Sequence, residues 1–140
     1  MKKTVRLTIC GKQYYPDMEP EIIELTTDGT MELVDGGWNI SYEESELTGM
    51  AGTVTTFRLE PGQVILSREG SLRSQMVFRE GVPHESLYRM EFGTLLLSVC
   101  AKSMEANIGA HGGTIDLIYD ISIEQGPSGL VEYHLDIVTI

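Results

Sequence analysis

Cysteine is scarce in this sequence, and long apolar runs are missing. Cys10 and Cys100 are the two cysteines among 140 residues, and neither has a second cysteine in CxxC spacing. No window approaches the roughly 18 apolar residues of a membrane-spanning helix. Lys2 and Lys3 lead into an alternating segment rather than the apolar stretch of a secretory signal. These absences predict a cytoplasmic protein with free thiols and no membrane span.

Positive charge is also in short supply. Ten lysines and arginines stand against 21 aspartates and glutamates, for a net charge of −11, and residues 13–57 contain no basic residue. Nucleic acids and anionic membranes attract proteins through clustered lysine and arginine, so the composition disfavours both partners. The cations concentrate in residues 1–12 and 58–91, and we expect these segments to lie beside the acidic stretch in the fold.

Histidine spacings typical of metal sites and enzymes are absent. The chain shows neither HxH nor HExxH spacing among its three histidines, His84, His111 and His134. Alternation places His134 on a polar face with Glu132 and Asp136, where a solvated histidine is the expected state. The sequence therefore predicts no metal and no cofactor.

Carboxylate, serine and cysteine patterns give no better catalytic candidate. Glu43 and Glu44 are adjacent, and adjacent strand residues point to opposite faces, so we expect a solvated strand end rather than a catalytic pair. No GxSxG motif frames a serine. Cys10 and Cys100 fall in alternating segments, where a buried thiol is inert. No catalytic residue is predicted.

What the sequence does have is alternation with a period of two. Apolar residues occupy every second position in 114–123 and again in 131–137. Successive side chains of a β-strand point to opposite faces, so each segment has one buried and one solvated side. Residues 98–108 are ambiguous, since no capped helical period supports a helix there.

Glycine-rich turns separate the alternating segments at short intervals. They are Asp28-Gly29, Asp35-Gly36-Gly37, Glu60-Pro61-Gly62, Glu69-Gly70, Glu80-Gly81, Gly112-Gly113 and Gly126-Pro127-Ser128-Gly129. The predicted strands cover residues 3–12, 20–27, 30–35, 37–44, 53–60, 63–69, 72–80, 84–92, 94–104, 113–124 and 130–140. Such close spacing predicts one all-β domain over residues 1–140, a sandwich or a barrel, and closure into a barrel removes exposed strand edges.

Four segments occur in a specific order along the chain. They are residues 40–44 (ISYEE), 88–97 (YRMEFGTLLL), 102–103 (KS) and 113–120 (GTIDLIYD). Together they resemble the YwiB-like family of bacterial proteins of unknown function, which is similar to the calycin superfamily of lipocalins and fatty-acid-binding proteins. The resemblance implies a closed antiparallel β-barrel of about 8–10 strands and no assigned activity. The family usually has threonine where this chain has Ala101. A role that depends on the threonine hydroxyl is therefore not expected in this chain.

A barrel of this size can hold one small ligand. Aromatic side chains are first of all core residues, but ligand sites also combine apolar walls with a few polar anchors. We predict that the interior ligand site is lined by Trp38, Tyr42, Arg58, Tyr88 and Tyr119. In this hypothesis Arg58 points inward, and with the hydroxyls of Tyr42 and Tyr119 it orients an anionic head group.

The favoured function is non-enzymatic binding of a small apolar or amphipathic molecule in the barrel interior. This rests on fold analogy, and folds host unrelated functions. The alternative is a protein–protein interaction module with a filled barrel, and an unrecognised enzyme comes third. Homodimerisation through an exposed strand is left open.

Overall fold

Ten β-strands build residues 2–46 and 50–140, the part of the chain that the structure, a computed structural model, describes. They are β1 (Lys2–Tyr14), β2 (Glu21–Val34), β3 (Gly37–Glu43), β4 (Thr53–Glu60), β5 (Gln63–Gly70), β6 (Ser74–Phe78), β7 (Pro83–Met90), β8 (Gly93–Gly109), β9 (Gly112–Ile123) and β10 (Gly129–Thr139). The all-β fold expected from alternation and turn glycines is confirmed.

The strands form a single antiparallel sheet that curls into a nearly closed barrel. Their order is β6-β5-β4-β3-β2-β1-β10-β9-β8-β7, so strands adjacent in sequence are adjacent in the sheet. The first and last strands also pair, with Leu7 opposite Ile137. The two ends of the order, β6 and β7, come together and close the barrel. The predicted antiparallel barrel is therefore confirmed.

The closure between β6 and β7 is the weakest junction of the barrel. Arg73 and Arg89 exchange backbone hydrogen bonds of 2.9 and 2.8 Å, and the turn after β6 is closed by a 3.0 Å bond from the Val82 N–H to the Arg79 carbonyl. Between these points residues 83–88 oppose the shorter segment 74–78, and no regular ladder joins β6 to β7 in the described ranges. We call these two segments the β6–β7 seam.

Inward-pointing residues from every part of the barrel form a hydrophobic cluster. The alternation predicted for 114–123 and 131–137 is present, since Ile115, Leu117 and Leu135 are at most 1% exposed. Burying such a side chain contributes about 1.5–3 kcal/mol. Other fully buried members include Val5, Leu7, Met31, Ile40, Phe57 and Phe78.

β2 is a continuous strand where the sequence predicts two. The predicted turn at Asp28-Gly29 is wrong, because both residues lie inside the unbroken β1–β2 ladder. A Cβ on Gly29 would overlap the Ser41 carbonyl oxygen and would lie 3.1 Å from the Tyr42 Cβ. Glycine occupies this position because β3 approaches closely, not because the chain turns.

The turn predicted at Gly112-Gly113 is displaced by two residues. Ala110 and His111 form the turn, and the two glycines begin β9. Gly113 has φ +150, and a Cβ there would overlap the Asn107 carbonyl oxygen of β8. Here too, a glycine required by a close backbone approach looks like a turn glycine in the sequence.

The ambiguous residues 98–108 belong to β8, the longest strand in the described ranges at 17 residues. The β8–β9 register shifts between Ala101 and Ser103, which marks a β-bulge at Lys102. The described ranges contain no helix long and apolar enough to cross a membrane.

The basic first strand lies beside the acidic second strand, as the charge pattern predicts. β1 pairs with β2 along its length, and the Arg6 Nε lies 3.3 Å from the Asp28 Oδ1. Both side chains are more than half exposed, so solvent screens the pair and its contribution to stability is small.

Candidate functional site

A cavity of about 440 Å³ opens at the end of the barrel where β1 finishes and β2 begins, and Ile23 and Ile123 of its lining are 39% and 43% exposed. The alternate strand positions that face inward in the core also face inward at this end of the barrel. Their side chains form the cavity walls. The apolar part of the lining consists of Ile9, Ile23, Leu25, Met50, Met76, Leu95, Leu97, Ile121, Ile123 and Val131. A space of this size with largely apolar walls is typical of small-molecule sites.

Arg68 of β5 is the cation that lines the cavity among the described residues. Val64 and Leu66 precede it on the same face of β5 and are 3% and 2% exposed, so alternation carries Arg68 into the interior. The Arg68 Nε is buried and has no hydrogen-bond partner. Within residues 2–46 and 50–140 Arg68 forms no ion pair with a carboxylate.

Three tyrosines from three strands reach the same cavity. Tyr42, Tyr119 and Tyr133 belong to β3, β9 and β10, and the hydroxyls of Tyr42 and Tyr133 lie 3.4 Å apart. Burial raises the pKa of each hydroxyl above the ordinary value, and the Arg68 charge lowers it by less. All three phenols are therefore neutral hydrogen-bond donors at neutral pH.

Glu44 is the carboxylate of this end of the barrel. Its side chain lines the cavity, is 6% exposed and accepts a 2.5 Å hydrogen bond from the Thr55 hydroxyl. The prediction of a solvated strand end is right for the exposed Glu43 and wrong for Glu44. Glu44 continues the inward phase of Ile40 and Tyr42 beyond the end of β3, which explains its burial.

The structure brings three of the five predicted ligand residues together. Tyr42, Tyr88 and Tyr119 all line the cavity. Trp38 instead packs half-buried against the hydrophobic core and pairs with Leu59 at the other end of β3. Its ring therefore belongs to the filled part of the barrel.

The predicted inward placement of Arg58 is wrong. Phe57 occupies the inner position and is fully buried, so its neighbour points outward. The outer guanidinium donates from Nη1 to the Val34 carbonyl at 2.8 Å and to the Asn39 Oδ1 at 3.2 Å. Its Nε also contacts Glu60 at 3.3 Å, so Arg58 joins strands on the outer surface.

Sequence reasoning missed Arg68 and Glu44 for a common reason. Each is a charged residue at the end of a strand, where hydrophobicity alone predicts exposure. Each nevertheless keeps the phase of two preceding buried apolar residues. Extending the period-two pattern through the charged residue would have placed both side chains inside.

His134 lies on the outer face of β10, as alternation predicts. Its Nδ1 lies 2.5 Å from the Asp116 Oδ1 and its Nε2 lies 3.0 Å from the Asp136 Oδ2, and both nitrogens donate when the ring is protonated. These hydrogen bonds, chiefly the one to Asp116, raise the pKa of the imidazole above its usual value. Because the two carboxylates bind opposite ring nitrogens, the three groups cannot share one metal ion.

The remaining histidines and the cysteines lie apart from the cavity. His84 opens β7 and accepts a 3.4 Å hydrogen bond from the Val77 N–H, while His111 lies in the β8–β9 turn. Cys10 and Cys100 are half-buried free thiols on β1 and β8. In the described ranges no three His, Cys, Asp or Glu residues are arranged to hold a metal.

Comparisons with known proteins agree with this architecture. A family model described as a domain of unknown function, DUF1934, matches residues 7–137. The uncharacterised β-barrel protein YwiB of Bacillus subtilis (strain 168) is 27% identical over 141 residues, which cover 100% of this chain and 94% of that protein. The crystal structure of the ywiB protein from Bacillus subtilis matches 96% of this chain and 92% of its own, with a TM-score of 0.83 and 22% identity. The resemblance to the YwiB-like family is confirmed.

Proposed function

This chain belongs to the DUF1934 family of domains of unknown function, and from that premise we propose that its barrel binds one small apolar or amphipathic molecule without catalysing a reaction. The observation that carries the proposal is the cavity of about 440 Å³ with its largely apolar walls. Protein interiors are normally packed as densely as organic crystals. A cavity lined by strand residues is therefore a feature that a ligand would use.

The polar groups of the cavity favour recognition over chemistry. The tyrosine hydroxyls have a raised pKa because they are buried, so they do not act as bases at neutral pH. Glu44 accepts a hydrogen bond from Thr55. These groups supply directional hydrogen bonds that fix the orientation of a bound molecule.

Filling the cavity tests this function directly. The neutral dye N-phenyl-1-naphthylamine fluoresces in apolar surroundings, and we expect saturable binding of one dye per chain. Ile121→Trp places a large ring in the cavity lining and should abolish the signal. Val138→Trp on β10 is the matched control, because Val138 is 60% exposed and its ring should remain in solvent. Equal dye binding by both variants would rule out the cavity as the site.

A second candidate, an interaction module, is favoured by the exposed Phe92 ring in the β7–β8 turn. Phe92 is 87% exposed, and large exposed aromatic rings are frequent anchors of protein interfaces. If the chain self-associates through this ring, Phe92→Ser should lower its mass in solution by light scattering. A monomeric mass for both proteins at all concentrations would argue against self-association.

A further inference from the structure

We infer that the ligand is a small monoanionic carboxylate with an apolar body, and that its carboxylate is held by Arg68. This inference rests on the proposed function and adds the chemical class of the molecule. It does not follow from the shape of the cavity alone. It follows from the charges and donors that meet at Arg68.

The side chain of Arg68 is half-buried, and its Nε is buried without a hydrogen-bond partner. A buried cation is stable when a counter-ion or several hydrogen-bond acceptors replace its water. In the described ranges the Arg68 guanidinium also has no carboxylate partner. Arg58 shows the contrast, since it contacts Val34, Asn39 and Glu60 on the outer surface. An anionic ligand would supply the acceptors that Arg68 lacks.

The tyrosine hydroxyls in the same cavity as Arg68 can donate hydrogen bonds to a ligand. Tyr42 and Tyr133 share one hydrogen bond at 3.4 Å, so one of their two hydroxyl hydrogens remains for another acceptor. Tyr119 lines the same cavity, and its hydroxyl bonds to no described residue. The groups around Arg68 are therefore rich in donors, which suits a ligand head rich in acceptors. A carboxylate has two oxygens and accepts from several donors at once.

The charges of the lining favour a monoanion over a dianion. Arg68 and Glu44 both line the cavity, and in the described ranges no ion pair joins them. A monoanion at Arg68 adds one negative charge to a lining that already holds Glu44. A dianion such as a phosphate monoester would leave a second charge buried near Glu44, and unpaired buried charge is strongly unfavourable.

Three eight-carbon probes separate these possibilities: octanoate, octan-1-ol and octyl phosphate. Isothermal titration of the full chain at pH 7.5 should give octanoate an affinity about tenfold to hundredfold above that of octan-1-ol, because hydrogen bonds to charged groups are the stronger ones. Arg68→Met should remove this preference, so that octanoate binds the variant no more tightly than octan-1-ol does. Arg58→Met is the matched control, and it should leave the binding of every probe unchanged.

The ligand-free variant provides a second readout. Methionine replaces a half-buried arginine whose Nε lacks a partner by an apolar chain of similar length, so Arg68→Met should melt at the same temperature as the parent or higher. A large drop in Tm would mean that Arg68 supports the fold rather than a ligand. Should that variant not fold, Arg68→Lys keeps the charge without the planar fork and should bind octanoate with an intermediate affinity.

The outcomes distinguish this inference from the function on which it rests. Equal affinities for octanoate and octan-1-ol in the parent chain would overturn the carboxylate while leaving an apolar binding site. Tightest binding of octyl phosphate would overturn the monoanion. If no probe binds and the neutral dye does not bind either, the binding function itself fails. An octanoate preference that survives Arg68→Met would place the anion elsewhere.

Discussion

At the residue scale, the interior chemistry depends on a few side chains that alternation directs inward. Arg68 and Glu44 follow buried apolar residues in phase, and a charged side chain cannot leave that phase without a bulge or a break in the strand. Arg58 follows the same rule in the opposite direction, because the fully buried Phe57 next to it takes the inner position. The identity of the interior cation is thus decided by register rather than by charge.

Gly29 offers a residue-level test of the close approach between β2 and β3. Gly29→Ala should lower the free energy of unfolding by about 1–3 kcal/mol, the usual cost of overpacking. The added methyl would overlap the Ser41 carbonyl oxygen, and the Tyr42 Cβ stands only 3.1 Å away. Urea denaturation measures the change.

Gly109→Ala is the control for this prediction. Gly109 also lies in a strand, and a Cβ there would meet no atom within 4 Å. Its substitution should change the free energy of unfolding by less than about 0.5 kcal/mol. Equal effects of the two substitutions would show that loss of glycine flexibility, and not the contact with β3, is responsible.

At the scale of the elements, the β6–β7 seam separates this barrel from a fully closed one. In an antiparallel ladder, alternate residues direct both backbone groups to the same neighbour. Arg73 and Arg89 bond across the seam, so Gln75 and Leu87 also direct their backbone groups across it. In the described ranges β6 and β7 form no ladder with each other, since they are the two ends of the strand order. The buried hydroxyls of Ser74 and Ser86 at the seam also lack partners.

Hydrogen exchange should reveal this break in the ladder. The amides of Gln75 and Leu87 should exchange at least about tenfold faster than those of Met76 and Tyr88, which point to the laddered neighbours β5 and β8. The comparison is made between neighbouring residues of the same strand. Nuclear magnetic resonance of the deuterated protein gives the individual rates. Equal protection of alternate amides would mean that the seam is fully bonded.

At the scale of the whole molecule, closure of the sheet gathers groups that are far apart in sequence. Tyr42, Tyr119 and Tyr133 come from β3, β9 and β10, and they converge because β1 joins β2 to β10. The aromatic contacts continue this convergence, with Phe78 and Tyr119 ring centroids 4.6 Å apart. The polar end of the cavity therefore exists only in the assembled barrel.

The buried tyrosines predict a loss of stability in alkali. In the unfolded chain they ionise near the ordinary tyrosine pKa of 10.0, whereas burial raises the pKa in the fold. Each contributes stability that is fully present below pH 10 and that declines as the pH rises toward the folded pKa. The loss at pH 11 should be about 1 kcal/mol for each tyrosine.

Tyr119→Phe isolates this effect from the general repulsion of an acidic protein. The difference in free energy of unfolding between the parent and Tyr119→Phe should shift by about 1 kcal/mol between pH 9 and pH 11, in favour of the variant. Urea denaturation at each pH provides the values. A constant difference would mean that Tyr119 ionises as readily in the fold as in the unfolded chain.

Alternation and turn chemistry are local properties, so features that depend on them can be predicted without knowing the fold. They predicted the all-β class, most strand positions, the inward phase of Ile115, Leu117 and Leu135, and the outward position of His134. They failed at Gly29 and Gly113, because a glycine required by a close approach looks like a turn glycine until the approaching strand is known.

Which side chains share the interior depends on contacts between strands that are distant in sequence. Tyr42, Tyr88 and Tyr119 could be nominated as aromatic residues, but their common cavity depends on the strand order and the closing seam. Arg68 and Glu44 required the register of β5 and β3 to be followed past the last apolar residue. The physical reason is that burial of a charge is a property of the assembled barrel, in which every strand contributes one wall.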